Sequence, residues 1–323
     1  MNKSKRKIIQ KQRHTTYKKQ KTYRNKMNCS PMVNNKTVHK NTCFTVDILM
    51  KIKNEYNKIH VNDPIIETEP NAVWSILNEK LKHCDSEVCW LKNISASERT
   101  AIHNYMFAPN SPSKWKLNKN EWLSNIDIEK VMHQYETAYK CFKFIGPVPI
   151  DFDSRILSRG DQCVSKDLCK FSLSEQLQNK KHKIGIIFNL DKHTESGSHW
   201  VSLFIDVKEQ VIIYFDSVGD KTPNEILVLK DRILKQGLEI KHPYNNSHIR
   251  IPIQFSFYQN YLNNHQKGNS ECGMYSLFFI ITMLTDKNKN KKMNMKQKLD
   301  LFNNKHISDK YVENYRKIYF NSN

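Results

Sequence analysis

Four residues of this 323-residue chain have the types and order that suit acyl transfer by a thiolate: His199, Asp216, Gln266 and Cys272. Cys272 opens an almost wholly apolar run to Leu284 that reads as a helix over 270–284 with Ser270 as its cap. The first turn of a helix favours negative charge, so a thiol there is activated toward thiolate, and Gly273 leaves room for a substrate backbone. His199 follows the turn-like Glu195-Ser196-Gly197-Ser198 and opens an apolar strand. Asp216 ends the next strand, beyond a tight connection at Lys208-Glu209, so a hairpin brings the two to one end of a sheet, where a carboxylate orients an imidazole. Gln266 lies six residues before the thiol, where its amide can join the Cys272 N–H in holding an oxyanion. Singly, each has an ordinary structural reading: a packing Cys, a satisfied His, a turn Asp. The ordered set carries the inference.

The elements that must position these groups change character along the chain. Residues 1–45 form a basic arm: the first 46 positions hold 13 Lys or Arg and no Asp or Glu, and such a segment buries too little apolar surface to offset its ordering entropy. It is expected to be disordered and to serve either as a targeting or DNA-contacting arm, with Lys5-Arg6-Lys7 its densest cluster, or as a solubilising tail. Residues 46–145 carry helical spacing, clearest from Trp122 to Phe142 with Ser124 and Asn125 as caps. Gly146-Pro147-Val148-Pro149 reads as a boundary, and residues 146–323 as the catalytic domain, with strands at Ile184–Leu190, His199–Val207, Gln210–Ser217 and Ile249–Phe257. Thr222-Pro223-Asn224-Glu225 has the form of a helix start that runs to about Gly237, and the lysine-rich Lys287–Lys298 reads as a solvated loop.

The net charge of +20 therefore belongs largely to the arm. No stretch approaches a membrane span and the basic N-terminus lacks the apolar segment of a secretory signal, so a soluble, intracellular protein with no membrane partner is expected. Eight cysteines in a chain of this length do not make a small disulfide scaffold, and a reducing compartment is the expected setting. Cys84 and Cys89, beside His83, and Cys163 and Cys169 lack the Cys-x-x-Cys spacing of a zinc knuckle, so structural cysteines are expected, and no metal or cofactor.

His199-Trp200, Tyr214-Phe215-Asp216-Ser217 and the segment from Gln266 to Gly273 together resemble the SUMO- and ubiquitin-like-protein proteases, a cysteine peptidase family that includes adenovirus protease. Within it the chain resembles the polyprotein-processing proteases of African swine fever virus and giant DNA viruses such as mimiviruses, over most of its length beyond about residue 70. The resemblance implies an α+β, papain-like or adenain-like fold with a central mixed sheet and a buried nucleophile helix. It implies Cys272, His199 and Asp216 as the triad and Gln266 as the oxyanion donor. Trp122-Leu123-Ser124-Asn125 resembles the family's Trp-Leu-Asn-Asp, which makes Trp122 and Trp200 the walls of a tunnel for a Gly-Gly end, with departures at Ser124 and Asn125; core packing is the plainer reading of both rings.

Three functions follow as alternatives. The first is an endopeptidase for viral structural precursors, at work in the virion and host cytoplasm, with the nucleus open to the basic arm. The second is a deconjugase for SUMO- or ubiquitin-like modifiers. The third is an inactive protease fold that binds nucleic acid.

Overall fold

The computed structural model describes residues 27–322 apart from 157, 159, 241–251, 289 and 290. Helices dominate the first half: α1 (Val46–Ile59), α2 (Pro70–Lys80), α3 (Glu87–Trp90), α4 (Ala96–Met106) and α5 (Asn125–Ala138). The first four enclose a core of their own, in which Phe44, Leu49, Ile52, Trp90 and Phe107 are fully buried, while α5 packs through Ile128, Val131 and Met132 into the core of the second half. Glu87 pins that core from within, accepting from the Cys43 N–H (3.0 Å) and from Trp74 Nε1 (3.0 Å). The arm is consequently shorter than its composition suggested, because Val33, Cys43 and Phe44 pack inside this core. Residues 1–26, Lys5-Arg6-Lys7 among them, lie outside the described part.

Strands follow: β1 (Phe142–Pro149), β2 (Arg155–Ile156), β3 (Gln162–Cys163), β4 (Lys183–Asn189), β5 (Trp200–Asp206), β6 (Val211–Phe215) and β7 (Ser256–Gln259). Five of them form a mixed sheet in the order β1-β4-β5-β6-β7, parallel at both outer pairs and antiparallel in the middle. The expected boundary at Gly146 falls inside β1, so the helical and catalytic parts share that strand. The turn residues there make a bulge between Ile145 and Val148 instead of a linker, with Gly146 at φ +117°, where an added Cβ would lie 2.6 Å from the Ile187 carbonyl oxygen. Ile249–Arg250–Ile251, the start of the strand expected over 249–257, lies outside the described residues, and the strand itself begins at Ser256.

The catalytic half also contains α6 (Lys166–Cys169), α7 (Leu173–Gln178), α8 (Asn224–Glu239), α9 (Cys272–Thr285), the short strands β8 (Lys287–Asn288) and β9 (Lys291–Lys292), and then α10 (Met295–Asn303), α11 (Asp309–Glu313) and α12 (Arg316–Tyr319). α8 covers one face of the sheet through Ile226, Leu229 and Ile233, and α9 covers the other against Phe204, Ile213 and Phe215. Every residue of α9 from Cys272 to Leu284 is buried, and each large apolar side chain so placed contributes roughly 1.5–3 kcal/mol. That burial fixes the helix as a rod through the core and leaves only its N-terminal end to face a reactant.

Several local expectations are corrected. α9 starts at Cys272 with Glu271 at the cap position and no capping side chain; Ser270 Oγ instead points to the Glu271 carboxylate at 3.4 Å. The helix expected over 122–142 is trimmed to Asn125–Ala138, opened by a Ser124–Asp127 capping box. Thr222 does not cap α8, whose cap position is Pro223; the Thr222 hydroxyl donates to Gln259 Oε1 (2.8 Å) and ties the helix entry to β7. The 287–298 stretch is not a solvated loop. It forms the β8–β9 pair and opens α10, and Lys298 is buried, with Nζ donating to Asp286 Oδ1 (2.7 Å) and the Met283 carbonyl (3.2 Å).

Six cysteines are paired, Cys29–Cys43, Cys84–Cys89 and Cys163–Cys169, where a reducing setting was expected. The pairs are 14, 5 and 6 positions apart in sequence, with Cys89 in α3, Cys163 in β3 and Cys169 in α6. His83 stands beside the second pair, whose sulfur atoms are taken by each other. Among the described residues the free thiols are Cys141 and Cys272, and no helix is long and apolar enough to cross a membrane.

Candidate active site

Three segments meet at one end of the sheet. His199 precedes β5 by one residue, Asp216 follows β6 by one, and Cys272 begins α9, which lies across β5. The antiparallel register sets Ser202 opposite Phe215, so the imidazole and the carboxylate leave the sheet side by side. His199 Nε2 meets Asp216 Oδ1 at 2.7 Å, and the Val218 N–H donates to the same oxygen at 3.0 Å. Nδ1 is left for the thiol, which interacts with the ring. Burial alone would lower the His199 pKa, but the hydrogen bonds and charges of Asp216 and Cys272 outweigh it and hold the imidazole at about 10. His199 is thus a cation at neutral pH, next to the thiol. Asp216 is fully buried and its Oδ2 has no hydrogen-bond partner among the described residues, so the imidazolium is its compensating charge.

Asn260 belongs to the same arrangement, and nothing in its local sequence pointed to it. The Asp216 N–H donates to Asn260 Oδ1 (2.9 Å), and Asn260 Nδ2 donates back to the Asp216 carbonyl (2.6 Å) and to the Asn263 carbonyl (3.1 Å). This clasp spans 44 positions of sequence, and no local spacing announces it. The next residues continue it: the Ser217 carbonyl accepts from the N–H groups of His265 (2.9 Å) and Gln266 (2.8 Å). Fully buried His265 takes a fixed tautomer, with Nε2 donating to the Phe302 carbonyl (2.8 Å) and Nδ1 accepting from the Ile307 N–H (3.1 Å). Burial holds its pKa low, which keeps it neutral and outside the acid–base chemistry.

Gln266 is brought to the same loop. Its Oε1 accepts from Ser217 Oγ (2.8 Å) and its Nε2 donates to the Gly268 carbonyl (2.8 Å), which leaves one of the two amide hydrogens. Asp309 holds the loop from outside, accepting from the N–H groups of Lys267 (3.1 Å) and Gly268 (2.8 Å) and from the Tyr275 hydroxyl (3.0 Å). Hydrogen bonds therefore tie the Asp216 turn to the loop over 265–268 that leads toward α9.

Trp200 and Trp122 have different burial. Trp200 is inside the core and donates from Nε1 to the Leu123 carbonyl (3.1 Å), whereas Trp122 is 39 % exposed. Both border a cleft of about 610 Å³ that also contains Pro147, Asn189 and Gly197. Trp122 separates it from a second hollow that reaches Ser270, two residues before the thiol. Gly273 is required where it stands: a Cβ there would come within 3.1 Å of Leu123 Cβ and 3.2 Å of Trp200 Cδ1. The sequence offered core packing and a substrate wall as alternatives for both rings; Trp200 packs into the core while bordering the cleft, and Trp122 stands at the cleft with much of its ring exposed.

A thiol at a helix start, a charged imidazole and a buried carboxylate, on a mixed sheet between helices, define the class of thiol hydrolases. Residues 148–322 match the Ulp1 protease family, C-terminal catalytic domain. A protein of Acanthamoeba polyphaga mimivirus described as a thiol protease is 31 % identical over 267 residues, spanning 76 % of this chain and 81 % of that protein. A "SUMO-1 cysteine protease" of African swine fever virus is 26 % identical over 214 residues, or 61 % of this chain and 72 % of that one. The crystal structure of an African swine fever virus protease superposes with a TM-score of 0.60 over 93 % of this chain and 97 % of its own, at 18 % identity, and so shares the fold. The chain belongs to the Ulp1 protease family and is a cysteine protease.

Proposed function

We propose that the protein is an endopeptidase that cleaves after small residues, Gly-Gly-X foremost, in viral structural precursors, within the virion or the host cytoplasm. The observation that supports the preference is the pair of indole walls, Trp122 and Trp200, bordering one cleft, with Trp200 also packed close to Gly273 of α9. Aromatic walls over an extended peptide admit backbone but exclude Cβ atoms, and glycine alone has none.

In this reading the Cys272 thiolate attacks the carbonyl carbon after the second glycine. The tetrahedral oxyanion takes hydrogen bonds from the Cys272 N–H and the remaining amide hydrogen of Gln266. The His199 imidazolium, oriented by Asp216, then gives its proton to the leaving amine as the C–N bond breaks. Water, deprotonated by the neutral imidazole, attacks the thioester and releases the acid, and His199 returns the proton state to its start. Residues 1–26 add the proposed contact with DNA, through charge alone.

A second reading, deconjugation of SUMO- or ubiquitin-like modifiers, is supported by the name of the African swine fever virus relative. Ser124 and Asn125 in place of the Asn-Asp of SUMO proteases favour the first, since Ser124 is engaged in capping α5. The test incubates wild type and Cys272→Ala with Gly-Gly-X peptides and with SUMO- and ubiquitin-vinyl-sulfone probes. Peptide cleavage that needs Cys272, without probe labelling, is the expected result. Labelling by a probe would replace the first reading with the second, and no reaction with either would overturn both.

A further inference from the structure

Arg316 is a buried cation that the proposed chemistry does not use. It lies on α12, 44 residues beyond the nucleophile, with its side chain 6 % exposed. Its guanidinium makes a two-pronged pair with Glu271, the residue immediately before Cys272: Nε donates to Oε2 (3.1 Å) and Nη2 to Oε1 (2.8 Å). Nη1 donates to the carbonyl of Glu121, the residue immediately before Trp122 (3.0 Å). The guanidinium also stacks on the Trp115 ring, 4.3 Å from its centroid, and Trp115 Nε1 donates to the same Glu121 carbonyl (3.0 Å).

One planar group therefore joins the residue ahead of the nucleophile to the residue ahead of the exposed wall of the cleft. The backbone around Trp122 is held from both sides, at Glu121 by Arg316 and Trp115 and at Leu123 by Trp200 Nε1. The Trp122 ring is not among the buried anchors, so its place is set by these backbone clamps. A two-pronged cation is suited to this work, because a planar fork can satisfy a carboxylate with one edge and a carbonyl with the other, which a lysine ammonium cannot do in the same geometry.

We infer that Arg316 is a positioning residue that sets the gap between the Cys272 end of α9 and the Trp122 wall, making the C-terminal helix part of the substrate-binding apparatus. The inference rests on Cys272 as nucleophile and on Trp122 as a substrate wall. Burial favours the neutral form of Glu271, and Arg316 opposes it, so the pair has a structural share as well; the two shares are separable by experiment.

The experiment compares wild type, Arg316→Lys and the double variant Glu271→Leu with Arg316→Met. Each is measured for thermal unfolding, for the rate of Cys272 alkylation by iodoacetamide, and for kcat and KM on a Gly-Gly-X peptide. Arg316→Lys keeps a charge beside Glu271 but loses the Glu121 tether. It is expected to alkylate within about twofold of wild type and to raise KM about tenfold with kcat changed less than threefold, the size of one lost charged hydrogen bond. The double variant leaves no unpaired charge and is expected to fold and to show the same rise in KM. A folded Arg316→Lys with wild-type KM overturns the inference, as does a loss that falls on kcat alone. If Arg316→Lys does not fold, a wild-type KM in the double variant overturns it in the same way. Wild-type protein that neither alkylates at Cys272 nor cleaves would locate the failure in the nucleophile assignment, and the inference falls with it.

Discussion

The helical half and the sheet half of this molecule are stabilised by the same burial, yet they are built over different sequence distances. In the helical half most of the pins named are near one another, Cys84 with Cys89, Cys29 with Cys43 and Glu87 with Trp74, although Glu87 also accepts from the Cys43 N–H 44 positions away. In the sheet half they are far apart: Asp216 with Asn260, Glu271 with Arg316, His199 with Asp216. The match to the family's catalytic domain covers 148–322, the second kind of construction. A region whose contacts are local can vary while keeping its own core, whereas a catalytic centre assembled from distant segments requires all of them at once. The two halves meet through α5, whose Ile128, Val131 and Met132 share the core of α9, and through polar bridges such as Trp200 Nε1 to the Leu123 carbonyl (3.1 Å) and Asn321 Nδ2 to the Ala108 carbonyl (2.9 Å).

This contrast predicts that damage in the two halves has different signatures. Cys272→Ala should abolish turnover, by at least ~10⁴-fold, without lowering the unfolding midpoint, as read by peptide cleavage beside calorimetry. Trp90→Ala empties the centre of the helical core and should cost about 3–5 kcal/mol of stability, while kcat per active site, titrated with a thiol reagent, stays within about threefold. A kcat that falls with the core would show that the helical half is part of the catalytic machine and not its support.

Gln266→Ala should lower kcat roughly 10²-fold with little change in KM, since an oxyanion donor acts chiefly in the transition state. An equal loss in Ser217→Ala would sharpen the assignment, because the Ser217 hydroxyl donates to the Gln266 carbonyl end. Opening the five-residue Cys84–Cys89 link by the double change to Ser should cost about 2 kcal/mol and leave turnover unchanged.

The smallest effect concerns pH. The His199 pKa is raised, so its contribution to stability is complete below its ordinary value of 6.5 and is lost as pH rises toward about 10. In Asp216→Asn the raised pKa loses its main support, so this pH-dependent contribution should be much smaller and the profile above pH 6.5 flatter than in wild type. Unfolding midpoints followed from pH 6 to 10 in both proteins check the sign, and parallel profiles would remove Asp216 as the cause.

Much of the site was readable because each of its parts has a local signature. Turn residues ahead of an apolar strand marked His199, a strand end marked Asp216, and an apolar run with Gly273 at its head marked Cys272. Boundaries were read less well, for particular reasons. Gly146-Pro147 has the composition of a linker, yet it is accommodated as a bulge because β4 supplies pairing on both sides of it. Lys298 reads as a surface lysine until Asp286 and the end of α9 give it partners. Val33 and Phe44 were assigned to a disordered arm because their neighbours are polar, and a core formed by α1 to α4 buries them.

The sequence alone determined the types, order and local setting of the four candidate groups, since residue type and strand or helix periodicity are properties of a few neighbouring positions. The tertiary structure alone decided how those groups are held. Asn260 clasps Asp216, Ser217 orients Gln266, Asp309 steadies the loop before Cys272, and Arg316 links the nucleophile helix to Trp122. Each of these bonds joins residues tens to nearly two hundred positions apart, and hydrogen bonds reach only about 3 Å, so no pattern along the chain can specify them before the sheet and α9 have brought the partners together.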